Sequence, residues 1–571
     1  MIKVIWILAS TLLLAACAQT LPVRSPITMD SNIAMSDNLR LYSIAHYALR
    51  NDILVDEKAI AGSGEITFRA RSPMTILELD FDGLYTIDGV SDAEGELVYT
   101  RDEAKIVVTL RNEVAAGATD TVTIAYHGQP REAERAPWDG GFVWDKSASG
   151  KPWIATALQG EGCDLWWPCK DHPDGEPASM DLYFTVPSDL TAASNGVLVD
   201  VSDEGDGRST FHWRTSVPTN TYGIALNIGP YVLIEDTYTS TNGTEIPVKF
   251  WALEENEEKA RDFFDREFAL NIAFFERMVG PYPWGQEKLA LVETPHYGME
   301  HQTIVAYGAN FARMTYGFDY ILHHELAHEW FGNVMTHKSS SDLWLHEGFA
   351  TFMQPEFTRQ RLGDAAYQAI SYRTFLSIES CNPIAPRDYM SLGELYFSDE
   401  GGNGPGGDIY GKGSWVLRSL GYVIGEDSLW RSIRRLVYDT TEPAMLKAPI
   451  ETRFRSTDDF MNIASDESGT DLAWFFEVYA RRGPLPVMTV TELDGNVVLE
   501  WQVVDELDFP MPLPVRINGE MSRVEFSANR ATLHNVSKAD ILIDPDMAIL
   551  RKTDAVPTCE ERRAEPEESP R

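Results

Sequence analysis

Two histidines four positions apart, His324 and His328, flank Glu325 in the run His-Glu-Leu-Ala-His. On a helix, residues i and i+4 share a face, so both imidazoles can reach one metal ion at about 2.0–2.1 Å. Glu325 lies beside them, a carboxylate able to take a proton from water that such an ion activates. The motif alone is not decisive, because a catalytic metal needs a third protein ligand and an open position. Glu347, with 18 residues between it and His328, supplies that ligand. The three-histidine alternative fails, since Phe331 and Val334 stand where glycine and histidine are required. Two histidines and a carboxylate favour Zn²⁺, one per chain.

These side chains need elements to hold them. Leu322, Leu326 and Trp330 form an i, i+4, i+8 stripe opposite the histidines, which predicts a helix, and Gly332-Asn333 offers a stop. The run Leu343-Trp-Leu-His-Glu-Gly-Phe-Ala reads as a second helix. Upstream, residues 40–247 read as β: Glu65-Ile-Thr-Phe-Arg, Lys105-Ile-Val-Val-Thr-Leu and Asp120-Thr-Val-Thr-Ile-Ala-Tyr carry strand patterning, and Asp203-Glu-Gly-Asp-Gly reads as a hairpin turn. An antiparallel sheet with one solvated face is expected. Residues 254–278 switch to helical spacing through Phe263, Phe264, Phe268, Ile272 and Phe275. Helices dominate until Trp474-Phe-Phe and the breaker Arg481-Arg-Gly-Pro. Residues 487–493 and 497–503 then flank Asp494-Gly495-Asn496, a tight-hairpin signal. The expected fold class is α+β and multidomain: β at 40–247, a mainly helical catalytic region at 248–485, and a small β domain at 486–555. A disordered acidic tail is expected at 556–571.

The spacing H-E-x-x-H-x18-E resembles the gluzincins. Trp330-Phe-Gly-Asn and Leu343-Trp-Leu-His-Glu-Gly-Phe-Ala narrow this to a resemblance to the aminopeptidase N / leukotriene hydrolase family, with His346 where asparagine is usual. Gly298-Met299-Glu300-His301 resembles that family's G-x-M-E-N motif, with Tyr297 in place of the first glycine and His301 in place of asparagine. By the resemblance, Gly298, Met299 and Glu300 bind substrate, and Glu300 takes the free α-amine. Gln159-Gly160-Glu161, followed by Trp167-Pro-Cys-Lys-Asp-His-Pro, resembles the family's Q-x-E segment and implies that Glu161 is a second amine-binding carboxylate. Tyr410-Gly-Lys-Gly, 63 positions beyond Glu347, resembles the family's tyrosine before a helix, a donor to the developing oxyanion. The resemblance implies an N-terminal β-sheet domain, a thermolysin-like zinc domain and a small C-terminal β-sandwich. It also implies a zinc aminopeptidase acting on peptides with a free N-terminus, by attack of metal-activated water. Two alternatives stay open: a thermolysin-like zinc endopeptidase, and a non-catalytic zinc-stabilised peptide-binding surface protein.

The 571 residues suggest about three or four domains. A formal charge of −39 excludes nucleic acid as a partner, because phosphates need basic patches. Residues 1–16 read as a signal peptide: Lys3, then an apolar stretch from Ile5 to Leu14 too short to span a bilayer. Leu14-Ala15-Ala16-Cys17 resembles the bacterial lipobox, which implies cleavage before Cys17, acylation of its thiol and a lipidated tether over 17–39. The location implied is the bacterial cell envelope, anchored in a lipid bilayer and periplasm-facing, with Ala18 pointing to outer-membrane sorting. Secretory cleavage without a lipid and a retained anchor are the alternatives. Cys163, Cys169, Cys381 and Cys559 allow three pairings. Cys163 and Cys169 are close enough to pair, and buried thiols are an equal reading.

Overall fold

The computed structural model describes residues 35–102, 104–138, 140–396, 404–556 and Cys559. The signal segment, Cys17 with most of the tether, and the tail from 557 apart from Cys559 lie outside the described residues. Among the described residues, no helix is long and apolar enough to cross a membrane.

The N-terminal part is built on an eight-stranded sheet. Its order is Val197–Asp203, Arg208–Thr215, Met180–Pro187, Tyr42–Leu54, Ala59–Ala70, Thr119–Gly128, Thr86–Asp92 and Gly95–Glu96. Met180–Pro187 alternates buried and half-exposed residues along its length, as a strand with one covered face must. Tyr42–Leu54 pairs antiparallel with Ala59–Ala70 but parallel with Met180–Pro187, Leu49 facing Leu182. The sheet is therefore mixed and not purely antiparallel as expected; alternation within a strand carries no information about the direction of its neighbour. A three-stranded and a four-stranded sheet complete this region. Its core takes in Tyr42, Tyr47, Trp166, Trp167 and Trp213. The segment around Trp166 is tied down by the Cys163–Cys169 disulfide and by paired main-chain bonds between Asp80 and Cys169 of 2.8 and 2.9 Å.

The catalytic part opens with a five-stranded sheet, in the order Tyr231–Thr239, Glu245–Leu253, Leu289–Glu293, Ile304–Tyr307 and Gly298–Met299. The boundary drawn at 247/248 from the change of periodicity falls inside the second of these strands. Val248 to Trp251 pair in parallel with Leu289 to Val292, so the hairpin beginning at Tyr231 belongs with the sheet that follows it. A sequence window sees two β segments and cannot see which sheet each joins. The helical stretch beyond is two α-helices, Glu257–Phe263 and Ala269–Met278, joined by a π turn over Phe264–Phe268. All five aromatic and aliphatic residues of the predicted stripe are buried there.

The C-terminal part packs two three-stranded sheets around Trp501, Phe509, Met511 and Phe526, the expected sandwich. Asp494 and Gly495 both take positive φ (52° and 75°) in its first hairpin, the geometry a two-residue turn needs to match strand twist. The sandwich shares one core with the helices. Tyr479 donates to the Leu550 carbonyl at 2.6 Å, and Leu550 N–H donates to Ser419 Oγ at 2.8 Å. Cys559, placed by composition in a disordered tail, is disulfide-bonded to Cys381 across 178 residues of sequence.

Candidate metal centre

His324 and Glu325 lie on the helix Tyr320–Ala327, and His328 is its C-cap. The helix ends earlier than Gly332. Asp319 is its N-cap, accepting from Leu322 N–H at 2.9 Å, and Asp319 is itself held by the Tyr307 hydroxyl at 2.6 Å from the neighbouring sheet. One position from the motif, His323 turns into the core and stacks on Phe357 at 4.6 Å between centroids. The 100° step of the helix thus separates a packing histidine from a ligating one.

Glu347 sits in the first turn of the helix Trp344–Leu362. Its Oε2 lies 3.3 Å from His324 Nε2 and 3.5 Å from His328 Nε2. Ligands at about 2.0–2.1 Å from a tetrahedral zinc are separated from each other by about 3.3–3.5 Å, the spacing that Glu347 has to each histidine, and all three donors lie within 4.8 Å of one another. The two imidazoles are nearly perpendicular, 87° apart. His328 Nδ1 lies 2.8 Å from the Phe331 carbonyl, which fixes that nitrogen as the donor and leaves Nε2 to ligate. All three residues are buried. These donors fit zinc and would hold it.

Of the remaining candidates, Glu300, Glu325 and Tyr410 lie beside the metal donors. Donor atoms of Glu300, Glu325 and His328 lie within 4.8 Å of one another. A Cβ at Gly298 would lie 2.8 Å from Glu325 Oε1, so only glycine lets the edge strand pass this close to the carboxylate. Glu300 Oε1 accepts from Gln159 Nε2 at 2.7 Å, and its carbonyl accepts from Asn333 at 3.2 Å. Glu161, two residues after Gln159, is buried and ion-paired with Arg131 at 3.1 Å. The Met299 side chain is buried in the N-terminal core, so what this residue offers a ligand is main chain on the sheet edge. Tyr410 stacks on His324 at 5.8 Å. Its position follows from two glycines: a Cβ at Gly348 would meet Gly413 Cα at 2.9 Å, so the helix Gly411–Ile424 lies directly against the helix bearing Glu347.

Some of the centre left no trace in the motifs. Tyr396, in the short helix Leu392–Tyr396, donates to Glu347 Oε1 at 2.9 Å and lies 3.5 Å from the Tyr410 hydroxyl. Arg131 comes from the far N-terminal region. His346, in place of the usual asparagine, turns away from the metal donors, its Nε2 accepting from His337 N–H at 3.1 Å. Because Tyr396 fixes the carboxylate's free oxygen, Tyr396→Phe should weaken zinc affinity roughly 10–100-fold, as losses around a ligand do. Competition with a chromogenic chelator measures it; unchanged affinity would make this hydrogen bond incidental.

The charges of the metal-free site are strongly displaced. Burial pushes the Glu325 carboxyl well above its ordinary value, and neighbouring Glu300 adds to this. Burial alone would lower His328, but Glu300 and Glu347 hold it up at about 10. Burial alone would raise Glu347, yet His328 and His324 bring it below the usual carboxylate range. A metal ion must then displace a proton from His328. Below the raised pKa the proton competes, so apparent zinc affinity should rise by about tenfold or more per pH unit between pH 6 and 8, with release of the His328 proton. Calorimetry in buffers of different ionisation enthalpy reads that proton directly; a pH-independent affinity would contradict it.

The profile of the Peptidase family M1 domain matches residues 269–479, and that of the Peptidase M1 N-terminal domain matches residues 43–222. A "Probable aminopeptidase 1" from Sulfurisphaera tokodaii is 24% identical over 506 residues, covering 82% of this chain and 58% of the relative. The chain spans about half the length of the curated relatives it matches, 58%, 34% and 53% for three of them. Among solved structures, an M1 zinc metallopeptidase mutant from Deinococcus radiodurans, bound to a Tyr-Ser-Ala substrate, aligns with TM-score 0.62 at 21% identity, covering 78% of this chain and 96% of that one. Legionella pneumophila aminopeptidase A in complex with aspartic acid aligns with TM-score 0.73 at 17% identity, covering 89% and 59%. Two matched domains in the right order, the second holding a buried His-His-Glu cluster, place this chain in peptidase family M1.

Proposed function

We propose that this protein is a zinc-dependent aminopeptidase that releases single residues from the free N-terminus of peptides. The observation that carries the reading is Glu300, a buried carboxylate whose donor atom shares one 4.8 Å cluster with Glu325 and His328. An endopeptidase has no use for a fixed anion there, whereas an α-ammonium group needs one. The α-nitrogen and the carbonyl carbon of one residue are about 2.5 Å apart by standard geometry. An amine held at Glu300 therefore leaves room for one residue before the reacting bond. The aminopeptidase names of the relatives support the same reading.

His324, His328 and Glu347 would hold the zinc, which when bound polarises the scissile carbonyl and makes water acidic enough to attack at neutral pH. Glu325 takes the proton from the attacking water and returns it to the leaving amine. Tyr410 donates to the carbonyl oxygen as it gains charge. Burial above all, with Glu347 close by, holds the Tyr410 phenol well above its ordinary pKa, so it remains a donor. Glu300 and Glu161 position the amine, and the main chain of Gly298 and Met299 offers a strand edge to the peptide. The lipobox-like run ending at Cys17 supports a further proposal, a lipid-anchored enzyme facing the periplasm.

The test is hydrolysis of paired peptides, free and N-acetylated, with and without chelator. Release of single N-terminal residues, abolished by chelator and about 100-fold slower on the acetylated twin, is expected from loss of a charge-assisted contact. Equal cleavage of both peptides would favour the endopeptidase. Zinc binding with no cleavage of either would favour the non-catalytic protein.

A further inference from the structure

Two exposed aromatic rings stand at the open end of the edge strand beside the metal centre. Tyr297, immediately before Gly298–Met299, is 48% exposed, and Trp138 is 39% exposed. Their rings stack with centroids 6.3 Å apart and planes at 27°. Each ring neighbours a glycine through which the backbone is pressed onto a buried glutamate, Glu325 beside the metal donors in one case and Glu161 in the other. A Cβ at Gly298 would lie 2.8 Å from Glu325 Oε1, and one at Gly140, two residues after Trp138, would lie 2.9 Å from Glu161 Cβ. The stack therefore joins the N-terminal segment over Glu161 to the sheet edge over Glu325.

The order of residues along that edge decides what part of a peptide meets the rings. This step rests on the aminopeptidase reading. Glu300 takes the amine, Gly298 lies against Glu325 at the scissile bond, and Tyr297 comes next. A peptide added antiparallel to this edge runs from Glu300 towards Tyr297, one residue per about 3.4 Å. Its first residue lies between Glu300 and Gly298, and its second lies opposite Tyr297. A stacked pair of rings presents apolar area and flat faces to that second side chain.

We infer that Trp138 and Tyr297 form an aromatic subsite for the side chain of the residue that follows the scissile bond, selecting large apolar or aromatic side chains over glycine. The experiment compares kcat/KM on Ala-Phe-Ala and Ala-Gly-Ala, with Phe-Ala-Ala against Ala-Ala-Ala as a control for the first residue. Wild type is expected to prefer phenylalanine over glycine at the second residue roughly tenfold, a typical value for an apolar contact of this size. Trp138→Ala and Tyr297→Gly should each bring that ratio close to one and leave the first-residue ratio unchanged. Tyr297→Phe, which keeps the ring, should retain the preference. Ratios taken within one preparation are insensitive to partial loss of folded protein. A flat second-residue preference in wild type, or variants that keep the wild-type ratio or shift the first-residue ratio instead, would overturn the subsite while leaving the aminopeptidase reading intact. Absence of hydrolysis of every peptide by wild type would strike that reading itself, and the subsite with it.

Discussion

Glu325→Gln should yield a protein that still binds one zinc and turns peptides over roughly 10²–10⁴-fold more slowly, the contribution expected of a positioned general base. The substitution keeps size and shape, and it leaves His324, His328 and Glu347 untouched. Their spacing of 3.3 and 3.5 Å depends on two helices, not on the Glu325 side chain. What is lost is the ability to accept a proton next to the reacting bond. No other carboxylate can move in, because Glu300 is held by Gln159 at 2.7 Å and Glu347 by Tyr396 at 2.9 Å. Peptide hydrolysis and metal analysis of the same sample give the result. Activity within a few-fold of wild type, at full zinc content, would remove Glu325 from the proposed chemistry.

Glu347→Ala should fail at an earlier step. Removing a ligand costs more than disturbing its surroundings, so zinc affinity should fall by more than about 100-fold, and activity with it at ordinary zinc concentrations. The loss also leaves cation-forming groups without their anion. Glu347 is the residue on which both imidazoles converge, and in its absence a buried, protonated His328 faces only Glu300 and Glu325, two carboxyls that burial pushes towards the neutral form. Truncating one partner of a buried charged pair typically costs about 3–5 kcal/mol. The variant should therefore unfold at lower denaturant concentration than wild type stripped of metal, a comparison that separates the charge effect from the loss of zinc. Equal metal-free stability would mean that the pairing around Glu347 contributes little beyond ligation.

Glu325 and the metal donors follow from spacing, because a helix repeats every 3.6 residues and fixes which side chains share a face. Tyr396 has no such repeat to reveal it, and Gln159 and Asn333, though inside the motif segments, have none that reveals their bonds to Glu300. Each reaches the centre through a fold contact, Tyr396 lying 49 residues from its carboxylate partner and Gln159 lying 141 residues from its own. The strand Tyr231–Thr239 falls in the stretch that reads as β, yet it joins the catalytic sheet only through its hairpin partner Glu245–Leu253, which pairs with Leu289–Glu293. The parallel pairing of Tyr42–Leu54 with Met180–Pro187 was equally out of reach. So was the Cys381–Cys559 bond, because pairing depends on where two chains meet and not on local composition.

By itself, the sequence marked the candidate zinc donors, the candidate general base and the order of β, helical and β regions, since local periodicity and short spacing encode these. The tertiary structure alone decided that Met299 offers main chain and not side chain, and that Arg131 pairs with Glu161. It alone decided that two facing glycines, Gly348 and Gly413, bring Tyr410 to the metal centre. Those outcomes depend on the distance between elements far apart in the chain, which the packing of one helix or sheet on another sets and no local pattern contains.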